Sequence, residues 1–336
     1  MSANSMIALL PDGASGMSFG RVRGPQLRPG EVLLEVAAAG VNRADLSQLA
    51  GHYPPPAGES EIVGLEVAGR VTRLGPGVAD EWLGRSACAL LAGGGYAQRV
   101  AVPADMLIAV PAGWSMAEAA GFPETALTAF LNLFVEAQLA EGERVLIHGG
   151  ASGVGTAAIR QAKLAGATVV TTCGGPEKVS ACQRLGADLA LDRHAGSWLD
   201  ALREQVGSVD VILDMVGQDY LGPNLEALAL GGRLVIISTL SGRRAELDLR
   251  ALMVKRARLI GSTLRGRPLA EKVRLREAFE RRFGAEVAAG ALRPLVDTVF
   301  DWSRVNEAHD RLRANDSVGK FVLEVGSADA EPRGGG

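Results

Sequence analysis

Cysteine is scarce: Cys88, Cys173 and Cys182 are the whole set in 336 residues. An odd number without a Cys-x-x-Cys spacing builds neither a disulfide framework nor a cysteine zinc site. The three are expected to be reduced and partly buried, in a cytoplasmic protein. Lysine is scarce too. Lys163, Lys178, Lys255, Lys272 and Lys320 stand in a chain whose default cation is arginine, so each lysine position draws notice. No apolar run approaches the ~20 residues of a membrane span, and no membrane partner is expected. The opening "MSANSMIALLPDG" lacks the basic start and the apolar length of a signal peptide. A basic excess is missing as well. The net charge is −3, which argues against the basic face that nucleic acid requires, and no nucleic-acid partner is expected.

What is present is apolar bulk. Hydrophobic residues make up 47% of the chain, enough for a sizeable core, and the length suggests two domains. Up to residue 123 the text is rich in Gly and Pro, with short β-type runs such as "EVLLEVAAAGV", "EVAGRVTRLG" and "YAQRVAVP" between turn clusters. Residues 1–123 therefore read as an irregular, mostly-β domain. From residue 124 the rhythm changes. "PETALTAFLNLFVEAQ" has helical spacing, and strands then alternate with helices: "RVLIHGG", "TVVTTC", "LALD", "VDVILDMVG", "GRLVIIST" and "ARLIGSTL". This pattern means βαβ units and a parallel, doubly wound sheet over residues 124–268, giving an α/β fold class overall. Residues 269–325 add a charged helix and two strands, "LRPLVDTVF" and "GKFVLEV", that return to the first domain. Residues 326–336 have the composition of a solvated, disordered tail.

The stretch "VLIHGGASGVG" is the most informative. A buried strand runs into glycines, and a helix begins at once. Backbone N–H groups at such a junction bind a pyrophosphate, helped by the helix dipole. Gly150, Ser152 and Gly155 occupy the positions of a G-x-G-x-x-G fingerprint, with serine for the middle glycine. A tight turn without a ligand is the plain alternative. Folds of this kind that prefer NAD place Asp or Glu at the end of the second strand. Here that place reads "TTCGG", and Lys178 follows in the next helix. Small residues and a cation, with Arg193 as a second cation, suit a 2′-phosphate and hence NADPH.

Several stretches carry a resemblance: "AAAGVNRADLSQLAGHYPPP", "GLEVAGRVTRLGPGV", "ALLAGGGYAQRVAVP", "PETALTAF", "VLIHGGASGVGTAAIRQAKLAGA", "GSTLRGRP" and "VGKFVLEV". Together they resemble the zinc-free NADPH:quinone oxidoreductase branch of the medium-chain dehydrogenase/reductase superfamily. "LLAGGGYAQ" and "GGASGVGTAAI" are similar to its tumour-suppressor-inducible subgroup. The resemblance implies a GroES-like catalytic domain, a Rossmann domain, and a nicotinamide held between the two. Zinc-dependent cousins have Cys where this chain has Asn42, and His where it has Leu65, in "GLEVAG". Leucine cannot bind a metal, asparagine is a poor zinc ligand, and no metal is expected.

The resemblance places Asn42 and Tyr53 beside the nicotinamide as catalytic candidates, Tyr53 also touching cofactor. Further cofactor contacts implied by the motifs are Thr128, Ser152, Gly153, Val154, Gly174, Lys178, Arg193, Gly217, Ser238, Leu264 and Lys320, the last reaching over from the other domain. The implied reaction is hydride transfer to a small electron-poor acceptor, a quinone or an activated C=C–C=O system. Tyr53 or Asn42 would steady the oxyanion, or water would supply the proton. Tyr53 as a packing residue, Asn42 as a cap, His52 as an exposed loop residue and His148 as a packed, hydrogen-bonded one are the plain readings. Reduction of enones, alkenals or enoyl thioesters is an alternative within enzymes, although no basic docking run for an acyl carrier is seen. A non-catalytic, crystallin-like NADPH-binding role is an alternative of another class. The apolar last strand, "ARLIGSTL", would be a liability if left bare, and in this superfamily it pairs with its copy, so a homodimer is expected.

Overall fold

The computed structural model describes residues 5–13 and 16–326. The expected disordered tail lies, from residue 327 on, outside the described residues. The chain divides into two compact units. One runs to Glu124 and resumes at Arg265; the other is Thr125–Leu264. The second boundary falls before residue 268 because the Arg265 guanidinium donates to Ala92 O, Tyr53 O and Gln48 Oε1, all in the first unit.

The first unit is mostly β. Strands β1 (Ser5–Pro11) and β2 (Met17–Arg23) form a hairpin ladder. The main sheet contains β3 (Glu31–Gly40), β4 (Glu66–Leu74), β5 (Ser86–Leu90), β6 (Arg99–Pro103) and β7 (Leu107–Ala109). Helices α1 (Arg43–Leu49) and α2 (Met116–Ala120) interrupt this run, and α3 (Pro123–Phe130) follows it. The sequence pattern of residues 123–138 suggests one helix. Instead, a π-helical stretch, Leu131–Glu136, succeeds α3. Asn132 Nδ2 donates to Thr128 O at 2.7 Å, and with that carbonyl taken the backbone widens by one residue, Ala137 N bonding to Asn132 O.

The second unit is a six-stranded parallel sheet. Its strands are β8 (Arg144–His148), β9 (Thr168–Cys173), β10 (Leu189–Asp192), β11 (Val209–Asp214), β12 (Leu228–Ile236) and β13 (Arg258–Gly261). The spatial order β10-β9-β8-β11-β12-β13 is that of a doubly wound dinucleotide fold, reversing direction between β8 and β11. Helices α4 (Gly153–Leu164), α5 (Pro176–Arg184), α6 (Trp198–Gln205), α7 (Leu221–Ala227) and α8 (Leu249–Lys255) connect the strands. Period-two alternation explains the two faces. Val145, Ile147, Val169 and Leu213 enter one apolar cluster, while Leu146, Val170, Ile212 and Leu234 enter the other. Burial on both sides is what a parallel sheet under helices demands, and each such side chain contributes about 1.5–3 kcal/mol.

The chain then re-enters the first unit. Helix α9 (Leu269–Ala288) leads to β14 (Val296–Asp301), α10 (Val305–Arg313) and β15 (Lys320–Glu324). Strand β15 lies between β14 and β3, with Val322 opposite Gly40. That register brings the start of β15 to the end of β3. Among the described residues no helix is long and apolar enough to cross a membrane.

Candidate active site

In the first unit, β3, α1, β4 and β15 converge on a buried ion pair. Lys320 Nζ lies 2.6 Å from Glu66 Oε1. It also donates to Asn42 Oδ1 at 2.6 Å and to Val41 O at 2.8 Å. Asn42 Nδ2 donates to the same Glu66 oxygen at 3.0 Å and approaches Gly40 O at 3.4 Å. The other Glu66 oxygen accepts the backbone N–H of Glu124, in the first turn of α3, at 2.9 Å. An ammonium has three hydrogens, and all three are used. Lys320, expected at the cofactor, is here a buried counter-ion that ties the α1 and α3 starts to the sheet. The same network holds Asn42. Its carbonyl and amide are both engaged, and it caps the start of α1, as the plain reading of Asn42 has it.

A second buried group adjoins this one. Asp45 Oδ2 accepts the Asn42 N–H at 2.7 Å and the Tyr96 hydroxyl at 2.8 Å. Tyr96 also meets His309 Nε2, at 3.4 Å. Burial, only partly offset by these hydrogen bonds and by Lys320, pushes Asp45 up to about 6. Burial and the nearby Arg313 hold His309 down at about 4. Neither Asp45, Tyr96 nor His309 was suggested by the sequence, since they meet only through folding. Glu66 carried a signal, standing within "GLEVAG".

Tyr53 follows α1. Its backbone N–H bonds to Ser47 O, and the Arg265 guanidinium lies 5.4 Å from its ring centroid while donating to its carbonyl. Its ring is half-buried. Burial and the Glu124 charge raise the phenol pKa, opposed by Arg265. Tyr53 thus keeps its proton at neutral pH, and its oxygen has a hydrogen-bonding interaction with the Arg265 backbone. His52 is exposed.

The second unit carries the glycine stretch between β8 and α4. A Cβ on residue 150 would come within 1.9 Å of Thr171 Oγ1, and one on residue 155 within 2.3 Å of Gly149 O. Only glycine fits this close approach of loop to strand and helix. Ser152 caps α4, its Oγ accepting the Gly155 N–H at 3.0 Å. Among the described residues the N–H groups of Gly153 and Val154 have no acceptor, so the start of this 12-residue helix fits a pyrophosphate. Beyond β9, Arg193 Nε lies 3.2 Å from where a Cβ on Gly174 would sit. Lys178 and Arg193 both act electrostatically on the Cys173 thiol, which puts both cations at this strand end. Asp192 is occupied there by the N–H groups of Gly175 and His194. After β11, the Asp214 carboxylate accepts the Val216 and Gly217 N–H groups. Ser238 is half-buried just past β12, whereas the side chains of Thr128 and Leu264 are buried.

Comparison with known proteins agrees with this geometry. Residues 28–112 match the alcohol dehydrogenase GroES-like domain, and residues 153–280 match the zinc-binding dehydrogenase domain. The chain is 31% identical over 307 residues to the 2-haloacrylate reductase of a Burkholderia species, covering 88% of this chain and 91% of that protein. It is 34% identical over 302 residues to polyketide synthase GfsB of Streptomyces halstedii, covering 89% of this chain but 5% of that protein. The chain therefore spans a small fraction of that relative's length. The solved structure of CurK enoyl reductase superposes with a TM-score of 0.82 at 25% identity, over 96% of this chain and 99% of that one.

The chain belongs to the medium-chain dehydrogenase/reductase superfamily. Its second unit has the NAD(P)-binding fold of that superfamily. The residues present do not fit the zinc that one family name implies. Asn42 is spent on Glu66 and Lys320, Leu65 is buried and apolar, and among the described residues no three His, Cys, Asp or Glu side chains gather to hold a metal.

Proposed function

We propose that the protein is an NADPH-dependent, metal-free reductase of carbon–carbon double bonds conjugated to a carbonyl or carboxyl group. The observation that carries this reading is the likeness, over nearly the whole of both chains, to 2-haloacrylate reductase. The likeness to an enoyl reductase structure points the same way. Quinone reduction, favoured by the motif resemblance, becomes the second reading.

A reduced nicotinamide, when bound, supplies hydride to the electron-poor carbon. The protein's own contribution starts with Tyr53. Its hydroxyl is protonated at neutral pH, and Arg265 braces it twice, its backbone acting on the phenol oxygen and its guanidinium donating to the Tyr53 carbonyl. Tyr53 Oη donates to the acceptor oxygen where charge develops, a role that general-acid and oxyanion-stabilising groups share. Gly153 and Val154 hold the pyrophosphate. Lys178 and Arg193 hold the 2′-phosphate beside Gly174, where a Cβ would crowd His194 at 2.9 Å and Arg193 at 3.2 Å. Gly217 and Ser238 lie on loops at the carboxyl ends of strands, the side of such sheets where ligands bind.

We further propose a homodimer. Among the described residues strand β13 pairs with β12 alone, and the preceding α8 exposes Met253 and Val254 at 75% and 68%. A stable monomer in light scattering at micromolar concentration would sink this.

The test of function is NADPH oxidation with 2-haloacrylates, enones, an enoyl thioester and a panel of quinones, each repeated with NADH. Turnover of the conjugated acids and carbonyls with NADPH preference is expected. Turnover of quinones alone would restore the second reading. NADPH binding without turnover of any acceptor would favour a non-catalytic role.

A further inference from the structure

Beneath the glycine stretch lies a chain of buried polar side chains that the proposed chemistry does not use. His148 ends β8, the central strand of the second unit, and is fully buried. Its Nδ1 is 2.9 Å from Thr172 Oγ1 on β9, and its Nε2 is 2.7 Å from Asn224 Oδ1 on α7. Asn224 Nδ2 donates to Asp214 Oδ2 at 3.1 Å, at the end of β11. Asp214 in turn accepts the Val216 N–H at 2.6 Å and the Gly217 N–H at 3.3 Å. Ser241 holds the same loop from its far side through Val216 O.

The partners determine the tautomer. Asn224 turns its NH2 to the Asp214 carboxylate, so its carbonyl faces His148. Nε2 must then carry the hydrogen, and Nδ1 accepts from the Thr172 hydroxyl. Burial keeps the ring neutral, at about 4, against the modest opposing effect of the Asn224 contact. Trp198 and Tyr220 pack edge-on to it at 4.9 and 4.7 Å and exclude alternative ring positions.

Strands β9, β8 and β11 are neighbours in that order. Each ends in a loop with a separate share of the dinucleotide: Gly174 to Lys178 after β9, the glycine stretch after β8, and Gly217 after β11. We infer that His148, through Thr172 on one side and Asn224 and Asp214 on the other, is a positioning residue that holds these three loops in mutual register for the dinucleotide. It touches no cofactor atom. It acts through the strand ends, and the inference rests on the dinucleotide-binding reading of this unit.

The test is nucleotide affinity rather than turnover. NADPH and NADH dissociation constants are measured by fluorescence titration for the wild type and for His148→Phe, Thr172→Val and Thr172→Ser, with thermal unfolding alongside. His148→Phe should weaken both nucleotides about tenfold, the effect of losing about 1.4 kcal/mol of ordering. The kcat at saturating NADPH should stay close to that of the wild type. Thr172→Val should weaken binding in the same sense, and Thr172→Ser, which keeps the hydroxyl, should restore it. If His148→Phe does not fold, the Thr172 pair decides alone. Unchanged dissociation constants with a lowered unfolding temperature would overturn the inference, leaving His148 as core packing. Wild-type protein that binds neither nucleotide would remove the dinucleotide reading and this inference together.

Discussion

The Lys320 ammonium and the Glu66 carboxylate meet at 2.6 Å with side-chain exposures of 5% and 0%. A buried pair of this kind is costly to break, because the remaining charge is left without compensation. Lys320→Met is expected to lower stability by about 3–5 kcal/mol, read from urea unfolding. NADPH affinity of the folded variant should be unchanged. A cofactor contact would show the reverse: near-normal stability and weakened NADPH.

Lys178 is the lysine assigned to the 2′-phosphate. A charge-assisted hydrogen bond contributes roughly 1.5–3 kcal/mol. Lys178→Ala should therefore weaken NADPH about tenfold or more and leave NADH nearly untouched. Equal losses for both nucleotides, measured by titration, would remove Lys178 from that role.

Tyr53→Phe keeps the ring under Arg265 and removes only the hydroxyl. With an enone or haloacrylate, kcat should fall about 100-fold or more if the hydroxyl assists the developing oxyanion, with NADPH affinity preserved. Quinone turnover should change less, since a hydroquinone oxyanion is stable enough to take its proton from water. Equal rates for variant and wild type on every acceptor would make Tyr53 a wall of the pocket.

Asp45 and His309 give stability opposite pH dependences. The Asp45 pKa is raised from 3.8 to about 6, so the folded chain binds that proton more tightly than the unfolded chain. Its favourable contribution is complete below 3.8 and is lost as pH rises through about 6. His309 is lowered from 6.5 to about 4, so its contribution is complete above 6.5 and is lost as pH falls toward 4. Each shift corresponds to about 3 kcal/mol. The cost of Asp45→Asn should thus be smaller at about pH 7 than at about pH 4.5, and that of His309→Gln larger. Denaturant midpoints at the two pH values check both signs. Parallel pH dependence of the two variants would contradict the assignment.

The dinucleotide unit was legible because its signals are local. Period-two alternation in β8 and β9, and glycines between a strand and a helix, are features of adjacent residues. The role of Lys320 was not legible in that way. Its contact with Asn42 spans 278 positions and exists only because β15 inserts beside β3. Asp45, Tyr96 and His309 come from three separate elements, and none of them stands in a motif. Asn132 hid its effect for a different reason: its apolar neighbours keep helical spacing, while its amide competes for a backbone carbonyl.

The Lys320 tie has a consequence for how this centre is assembled. Zinc-dependent relatives must acquire their central cation from the surroundings, and can lose it to a chelator or exchange it for a rival ion. In this chain the positive charge that gathers Asn42, Glu66 and Val41 is covalently part of the polypeptide. Its stoichiometry is fixed at synthesis, and its supply is independent of metal availability.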